Sequence, residues 1–260
     1  MRPIYDAKRR LKGVTKRTLA RMGFFVGRYP QTYTLDAHLL QLSTRLAINC
    51  VLDVGAHHGE FVEKLRDAGY RGRIVSFEPV HESFAVLERE HGRDPNWAGY
   101  EMALGDHDGE ATLNILKESV FNSLLSPNPY GVDRFATKMR LENRRSVPMR
   151  TLDSIWAESV CGIDEPRVLL KLDTQGYDLV VLQGAMAHLG QIDALQLELA
   201  VQPIYNGISN ELSAAIIALR DLGFLLAGLY PVSWDPKDEL TAVEVDGLFW
   251  RNRGQSQLGD

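Results

Sequence analysis

Short apolar runs recur along the chain, and several end in an acid. Val51-Leu52-Asp53-Val54, Ile74-Val75-Ser76-Phe77-Glu78, Val168-Leu169-Leu170-Lys171-Leu172-Asp173 and Ala194-Leu195-Gln196-Leu197-Glu198 each read as a buried strand bounded by turn signals. Between them the spacing turns helical. Leu35, Leu39, Leu40, Leu42 and Leu46 predict an amphipathic helix over residues 36–48, covering one edge of the sheet. Further helices are expected over 61–68, 81–91, 179–187 and 210–222, the last stopped by Gly223. Residues 100–106 read as a strand running into a turn, and 111–116 as an antiparallel strand. Residues 224–229 and 241–250 supply the last two strands, before a frayed tail. Thr151 or Asp153 can cap a short helix. This alternation predicts an α/β fold with a doubly wound, mostly parallel, Rossmann-like sheet. Residues 1–49 are expected to form a helical N-terminal extension and 50–260 the main domain. Residues 117–146 lack clear periodicity and read as a substrate lid, with a disordered insertion as the alternative.

The run at residues 51–60 carries the chemistry. Its strand ends near Asp53, turns through Gly55 and Gly59, and leads into a helix. A strand, a glycine loop and a helix N-terminus together cradle nucleotides. The glycines here are spaced G-x-x-x-G, with Ala56, His57 and His58 between them. A dinucleotide loop needs a middle glycine where the pyrophosphate sits. The acid at the strand end also repels phosphate and suits a cationic ligand. Glu78 stands about twenty residues further on, where such folds place a ribose-binding carboxylate.

Composition narrows the class. The chain has 260 residues and a formal net charge of −5, which does not support a general nucleic-acid surface. No apolar run is long enough to cross a membrane, and the N-terminus lacks the apolar core of a secretory signal. Lys8, Arg9, Arg10, Lys12, Lys16, Arg17 and Arg21 make the first stretch basic, either a solvated helix or a face toward an anionic surface. Cys50 and Cys161 show no metal-ligand spacing, and a reducing cytoplasm fits them. Cys50 reads as a small buried residue.

Taken together, Asp53-Val54-Gly55-Ala56-His57, Ser76-Phe77-Glu78-Pro79, Thr151-Leu152-Asp153, Lys171-Leu172-Asp173-Thr174-Gln175-Gly176, Leu182-Gln183-Gly184-Ala185 and Leu195-Gln196-Leu197-Glu198 resemble the FkbM-type methyltransferases over roughly residues 50–200. The resemblance implies S-adenosylmethionine as cofactor and seven strands with the last antiparallel. It implies O-methylation of a small acceptor, glycoside or polyketide-like, in secondary metabolism, and allows a homodimer. On this resemblance Asp53, Gly55, Ala56, His57, Gly59, Phe61, Glu78 and Pro79 serve the cofactor. Met102 and Ala103 border adenine, and Asp173 is placed at the cofactor or the acceptor. Asn122, Ser123, Gln175 and Tyr205 are expected on the acceptor side. The chain departs from the family pattern at Gln175, where Glu is expected, and at His57, where Asn is expected.

Methyl transfer to a hydroxyl needs an aligned acceptor and a base for its proton. Asp173 is the first candidate and Glu198 the second, with His57 or His58 behind them. Lys171 is read as the partner of a nearby acid. No metal ligands are assigned; metal dependence stays open, with Asp173 and Glu198 as the acids that could serve. Two other readings stand beside this one: an NAD-dependent oxidoreductase, and a degenerate methyltransferase fold acting as a binding module, which Gln175 would favour.

Overall fold

The structure is a computed structural model that describes residues 34–252. The basic N-terminal stretch therefore lies outside the described residues, as does most of the proposed extension and the tail from residue 253. The chain divides into two units at His38/Leu39. Of the first, residues 34–38 are described: Thr34 accepts the Ala37 N–H at 3.3 Å and opens α1 (Leu35–Arg45).

The second unit is built on a seven-stranded sheet. Its strands are β1 (Cys50–Val54), β2 (Arg73–Phe77), β3 (Trp97–Tyr100), β7 (Val168–Leu172), β8 (Ile192–Ala200), β9 (Leu225–Trp234) and β10 (Ala242–Trp250). The order is β3-β2-β1-β7-β8-β10-β9. All neighbouring pairs are parallel except those of β10, which runs antiparallel to both β8 and β9. The sheet thus has the predicted seven strands, with the last one antiparallel.

Helices α2 (Glu60–Asp67), α3 (His81–His91), α5 (Leu152–Ser159), α6 (Asp178–Gln183) and α7 (Leu212–Asp221) alternate with the strands. β1 and β7 are buried along their whole length, as their apolar runs require. Alternate residues feed two cores. Leu52, Val75, Leu170 and Leu195 pack on one face with Leu152, Ile155 and Leu219. Val51, Ile74, Leu169, Ala194 and Leu248 face the other way, against Leu39, Leu42, Val62 and Leu87. The α1 residues Leu39 and Leu42 therefore cover a face of the sheet rather than an edge, because their partners belong to its central strands.

Two expectations change. Residues 100–106 are not one strand. β3 ends at Tyr100, and β4 (Ala103–Gly105) joins β5 (Gly109–Leu116) and β6 (Leu141–Thr151) in a second, three-stranded sheet ordered β4-β6-β5. The segment 117–146 is only partly irregular. It holds α4 (Pro129–Phe135), and from Leu141 it is strand β6 (Leu141–Thr151), antiparallel to β5 (Gly109–Leu116). Asn128 caps α4 through the Gly131 N–H at 2.8 Å. Tyr130 donates to Asp235 at 2.6 Å, and Lys237 to Asp133 at 2.7 Å, so α4 is tied to the β9–β10 turn.

Candidate active site

The parallel strands end on one edge, and the loops beyond them form the site. Gly55 sits at φ +75°, and the N–H groups of Gly55 and Ala56 donate to the Phe77 carbonyl at 3.0 and 3.1 Å. A Cβ on Gly55 would lie 2.0 Å from the Asp173 carbonyl oxygen, so the loop after β1 touches the end of β7 backbone to backbone. His57 has φ +49°, and Gly59 at φ +96° opens α2.

Glu78 is not a solvated strand tip, being 6% exposed. One carboxylate oxygen accepts the His57 N–H at 2.8 Å and the other the Val80 N–H at 2.9 Å. Burial pushes its pKa up to about 7, against the pull of those two N–H groups. The carboxylate is thereby fixed in direction beside the glycine loop, and each oxygen keeps a lone pair for another donor.

Asp53 meets its cation inside the protein. The register places it beside Lys171, whose Nζ lies 3.0 Å from Asp53 and 3.4 Å from Asp173 and donates to the Gly55 carbonyl at 3.0 Å. Asp53 is fully buried, whereas the Asp173 side chain beyond it is 42% exposed. Burial works against the Lys171 ammonium, but the charges of Asp53 and Asp173 outweigh it and raise its pKa. Phe61 lies under that ammonium, 5.6 Å from Nζ to ring centre.

Beyond β7 and β8 the residues expected on the acceptor side converge. Gln175, at φ +52°, donates to Glu198 at 2.9 Å and to Asp173 at 3.3 Å, and accepts from the Tyr205 hydroxyl at 3.0 Å. Its amide thus bridges the two acids named as catalytic. A glutamate here would bring a third carboxylate against them. Ser123 donates to the Gln175 carbonyl at 2.8 Å and fixes this loop. Asn122 accepts the Leu116 N–H at 2.8 Å, a contact within its own turn. Burial raises Glu198 well above the usual carboxylate range, and the nearby charge of Glu244 adds to it.

Other sequence-named residues sit further out. Ala103 is buried with Val80, Leu113, Val147 and Met149 in the core of the smaller sheet, and Met102 packs beside the main core. Pro79 is half-buried between Glu78 and Val80. The His57 ring lies 3.1 Å from Glu60 and 2.9 Å from Ser119, and it stacks on His58. Among the described residues, His57, His58 and Glu60 are the only group of three or more potential metal-binding side chains with ligand atoms within 4.8 Å of one another. Asp173 and Glu198, the acids considered for a metal, do not form such a group.

Sequence reasoning missed Glu244, Asp246 and Asp178. Burial raises Asp246 to about 6 and Asp178 to about 7, with the charge of Asp173 contributing to both. No motif marks Glu244 or Asp246. They follow from the register alone, which sets Asp246 opposite Glu198 and Glu244 opposite Ala200.

The sequence profile of the Methyltransferase FkbM domain matches residues 53–226, which includes the glycine loop, Glu78, Asp173 and Glu198. The chain belongs to the FkbM methyltransferase family. No curated protein matches this FkbM chain. Among solved structures, an rRNA methylase from Streptococcus thermophilus is 9% identical, covering 84% of this chain and 97% of its own, with a TM-score of 0.44. Precorrin-6y C5,15-methyltransferase from Geobacter metallireducens is 12% identical, with coverages of 88% and 94% and a TM-score of 0.42. Aeropyrum pernix fibrillarin with bound S-adenosyl-L-methionine is 13% identical, with coverages of 81% and 74% and a TM-score of 0.42. At such scores the likeness says nothing of the acceptor used by this FkbM domain.

Proposed function

We propose that this FkbM domain transfers a methyl group from S-adenosylmethionine to a hydroxyl of a small sugar-like or other natural-product acceptor. The observation that carries the reading is Glu78, held at the end of β2 by the N–H groups of His57 and Val80 beside the Gly55–Gly59 loop. A carboxylate so oriented can accept hydrogen bonds from vicinal ribose hydroxyls. The residues present fit this cofactor better than a dinucleotide. The strand-end edge carries Glu78, Asp173 and Glu198, and the one lysine among them is held by Asp53 and Asp173. That charge favours a cationic ligand and opposes a pyrophosphate.

When bound, the cofactor supplies an electrophilic methyl on a sulfonium. The chain's part is to align the acceptor and take its proton. Asp173, held by Lys171 and Gln175, can orient the acceptor hydroxyl. Glu198, raised by burial, is suited to receive the proton once ionised. The segment 117–140, tied to the site through Ser123 and Tyr205, would cover the acceptor.

Calorimetry with S-adenosylhomocysteine should give a one-to-one complex, and NAD should give none. A screen of glycosides should then yield a methylated product, with turnover lowered roughly 10²-fold by Asp173→Asn. Saturable NAD binding without a response to S-adenosylhomocysteine would sink this function. Full turnover by Asp173→Asn would remove the orienting role from Asp173.

A further inference from the structure

Gln175 and Tyr205 make a short row of polar groups between Glu198 and the backbone of the segment after β5. Gln175 Nε2 lies 2.9 Å from Glu198, Gln175 Oε1 lies 3.0 Å from the Tyr205 hydroxyl, and that hydroxyl lies 2.8 Å from the Phe121 carbonyl. The heavy atoms of the row are held in place. Tyr205 is 3% exposed and pairs with Pro127 through an isolated β-bridge. Gln175 is anchored by its own backbone carbonyl, which accepts the Ser123 hydroxyl at 2.8 Å. What can change is where the protons lie.

A tyrosine hydroxyl has one proton, and two carbonyl oxygens stand within reach of this one. Burial raises the Tyr205 pKa, so the hydroxyl keeps that proton. The row has two complete arrangements. With Glu198 ionised, the Gln175 amide donates to Glu198 and Asp173, and the Tyr205 O–H donates to Gln175. The Phe121 carbonyl then receives nothing from the tyrosine. A proton on the Glu198 oxygen that faces Gln175 sets donor against donor. Turning the amide over resolves this. Glu198 then donates to Gln175 Oε1, Gln175 Nε2 donates to the Tyr205 oxygen, and the Tyr205 O–H swings to the Phe121 carbonyl. Every contact along the row holds one proton. The turn gives up the longer contact to Asp173, at 3.3 Å, and Asp173 keeps Lys171.

We propose that Gln175 and Tyr205 are positioning residues that form a proton-coupled relay: when Glu198 gains a proton the Gln175 amide turns over, and the Tyr205 hydroxyl passes from Gln175 to the Phe121 backbone. The surroundings of Glu198 favour its taking a proton. It is buried, and Glu244 and Asp246 of β10, Asp173 beyond β7 and Asp178 of α6 all add negative charge beside it. Lys171, the nearby cation, is taken up by Asp53 and Asp173. The role in turnover rests on the methyltransferase reading above, in which the proton comes from the acceptor hydroxyl. The segment over the acceptor then gains a hydrogen bond as the proton-accepting step is completed. A carboxylate in place of the Gln175 amide would have no N–H to give and would break the row.

The test uses the whole chain and needs neither cofactor nor acceptor. Phe121-Asn122 is the only Phe-Asn pair in the sequence. Labelling with carbonyl-¹³C phenylalanine and ¹⁵N asparagine therefore gives a single carbon-detected ¹³C–¹⁵N correlation, whose carbon shift reports hydrogen bonding to the Phe121 carbonyl. That signal should move downfield, along one titration curve, as pH is lowered from 10 to 5. Glu198→Gln, Gln175→Met and Tyr205→Phe each break one link, and each should abolish the movement. Should one of them fail to fold, the other two decide. A wild-type signal that stays still or moves upfield would overturn the proposal. So would movement that persists in any folded variant, since the carbonyl would then be following some other group. Failure of the chain to bind S-adenosylhomocysteine would strike the methyltransferase reading and leave the titration standing, so the two results are separate.

Discussion

Replacing Lys171 with methionine removes the one cation beneath the site and keeps the aliphatic stem. Asp53 is then left with no exposure to water and only the Ser76 hydroxyl, at 3.4 Å, as a neutral side-chain donor. Removing one member of a buried pair costs about 3–5 kcal/mol, because the other charge stays desolvated. Domains of ordinary stability have roughly 5–15 kcal/mol in total, so the variant should unfold at a much lower urea concentration. The penalty should depend on pH in a definite direction. Burial already raises the Asp53 pKa, and Lys171 opposes that rise. Without the lysine the folded-state pKa climbs further above the unfolded value. Near neutrality the folded chain then holds more protons than the unfolded one, so stability falls as pH rises, by at most about 1.4 kcal/mol per pH unit. Urea unfolding at pH 5 and pH 7.5 should therefore show the variant partly rescued by acid. Asp53→Asn combined with Lys171→Met should recover much of the loss, since the pair is then neutral. An unchanged midpoint in Lys171→Met at pH 7.5, or a double variant no more stable than the single one, would refute this account of the strand ends.

Further outcomes follow from the same geometry. Glu78→Gln should weaken S-adenosylhomocysteine binding at least about tenfold, because each charge-assisted hydrogen bond is worth roughly 1.5–3 kcal/mol. Wild-type affinity should rise as pH passes through about 7, where Glu78 ionises in the folded chain, and calorimetry across that range should find the rise absent in Glu78→Gln. The same raised pKa means that Glu78 favours folding below about pH 4, and that this contribution is lost by about pH 7. Gly55→Ala should prevent normal folding, because its Cβ meets backbone at 2.0 Å, whereas Gly69→Ala, at φ +92° with nothing within 4 Å, should cost only about 1–2 kcal/mol in a melting experiment.

The parts of the fold carried by buried strands were legible in the sequence. β1 and β7 are short apolar runs because both faces are covered, and His81–His91 matches its predicted helix. Acids at the strand ends pointed to the site, since parallel strands bring their ends to one edge. β6 stayed hidden for a physical reason. Its first residues are exposed, and Val147 and Met149 are the only fully buried side chains along it, so Arg144 and Arg145 mask the alternation. Lys171 was read as the partner of a nearby acid, but that Asp53 is one of its partners emerges only when β1 and β7 pair. Gln175 looked like a loss of function in the sequence. In place it is a donor between two carboxylates, a role that depends on where Glu198 and Tyr205 arrive.

The antiparallel strand has a consequence for how a growing chain folds. β9 pairs with β10 alone, and β10 joins residues as distant as Ala194 and Trp250. During translation β8 can pair with β7, but its outer edge and the whole of β9 must wait for the last strand to emerge. In the interval the uncharged run Leu225–Trp234 has no partner and exposes a strand edge, the kind of surface that nascent chains aggregate through. Glu244 and Asp246 ride on that same late strand, so the glycine loop can form long before Glu198 meets its acidic neighbours. A message truncated ahead of Ala242 would yield a chain with the glycine loop encoded in full, five strands able to pair, and β9 left without its partner.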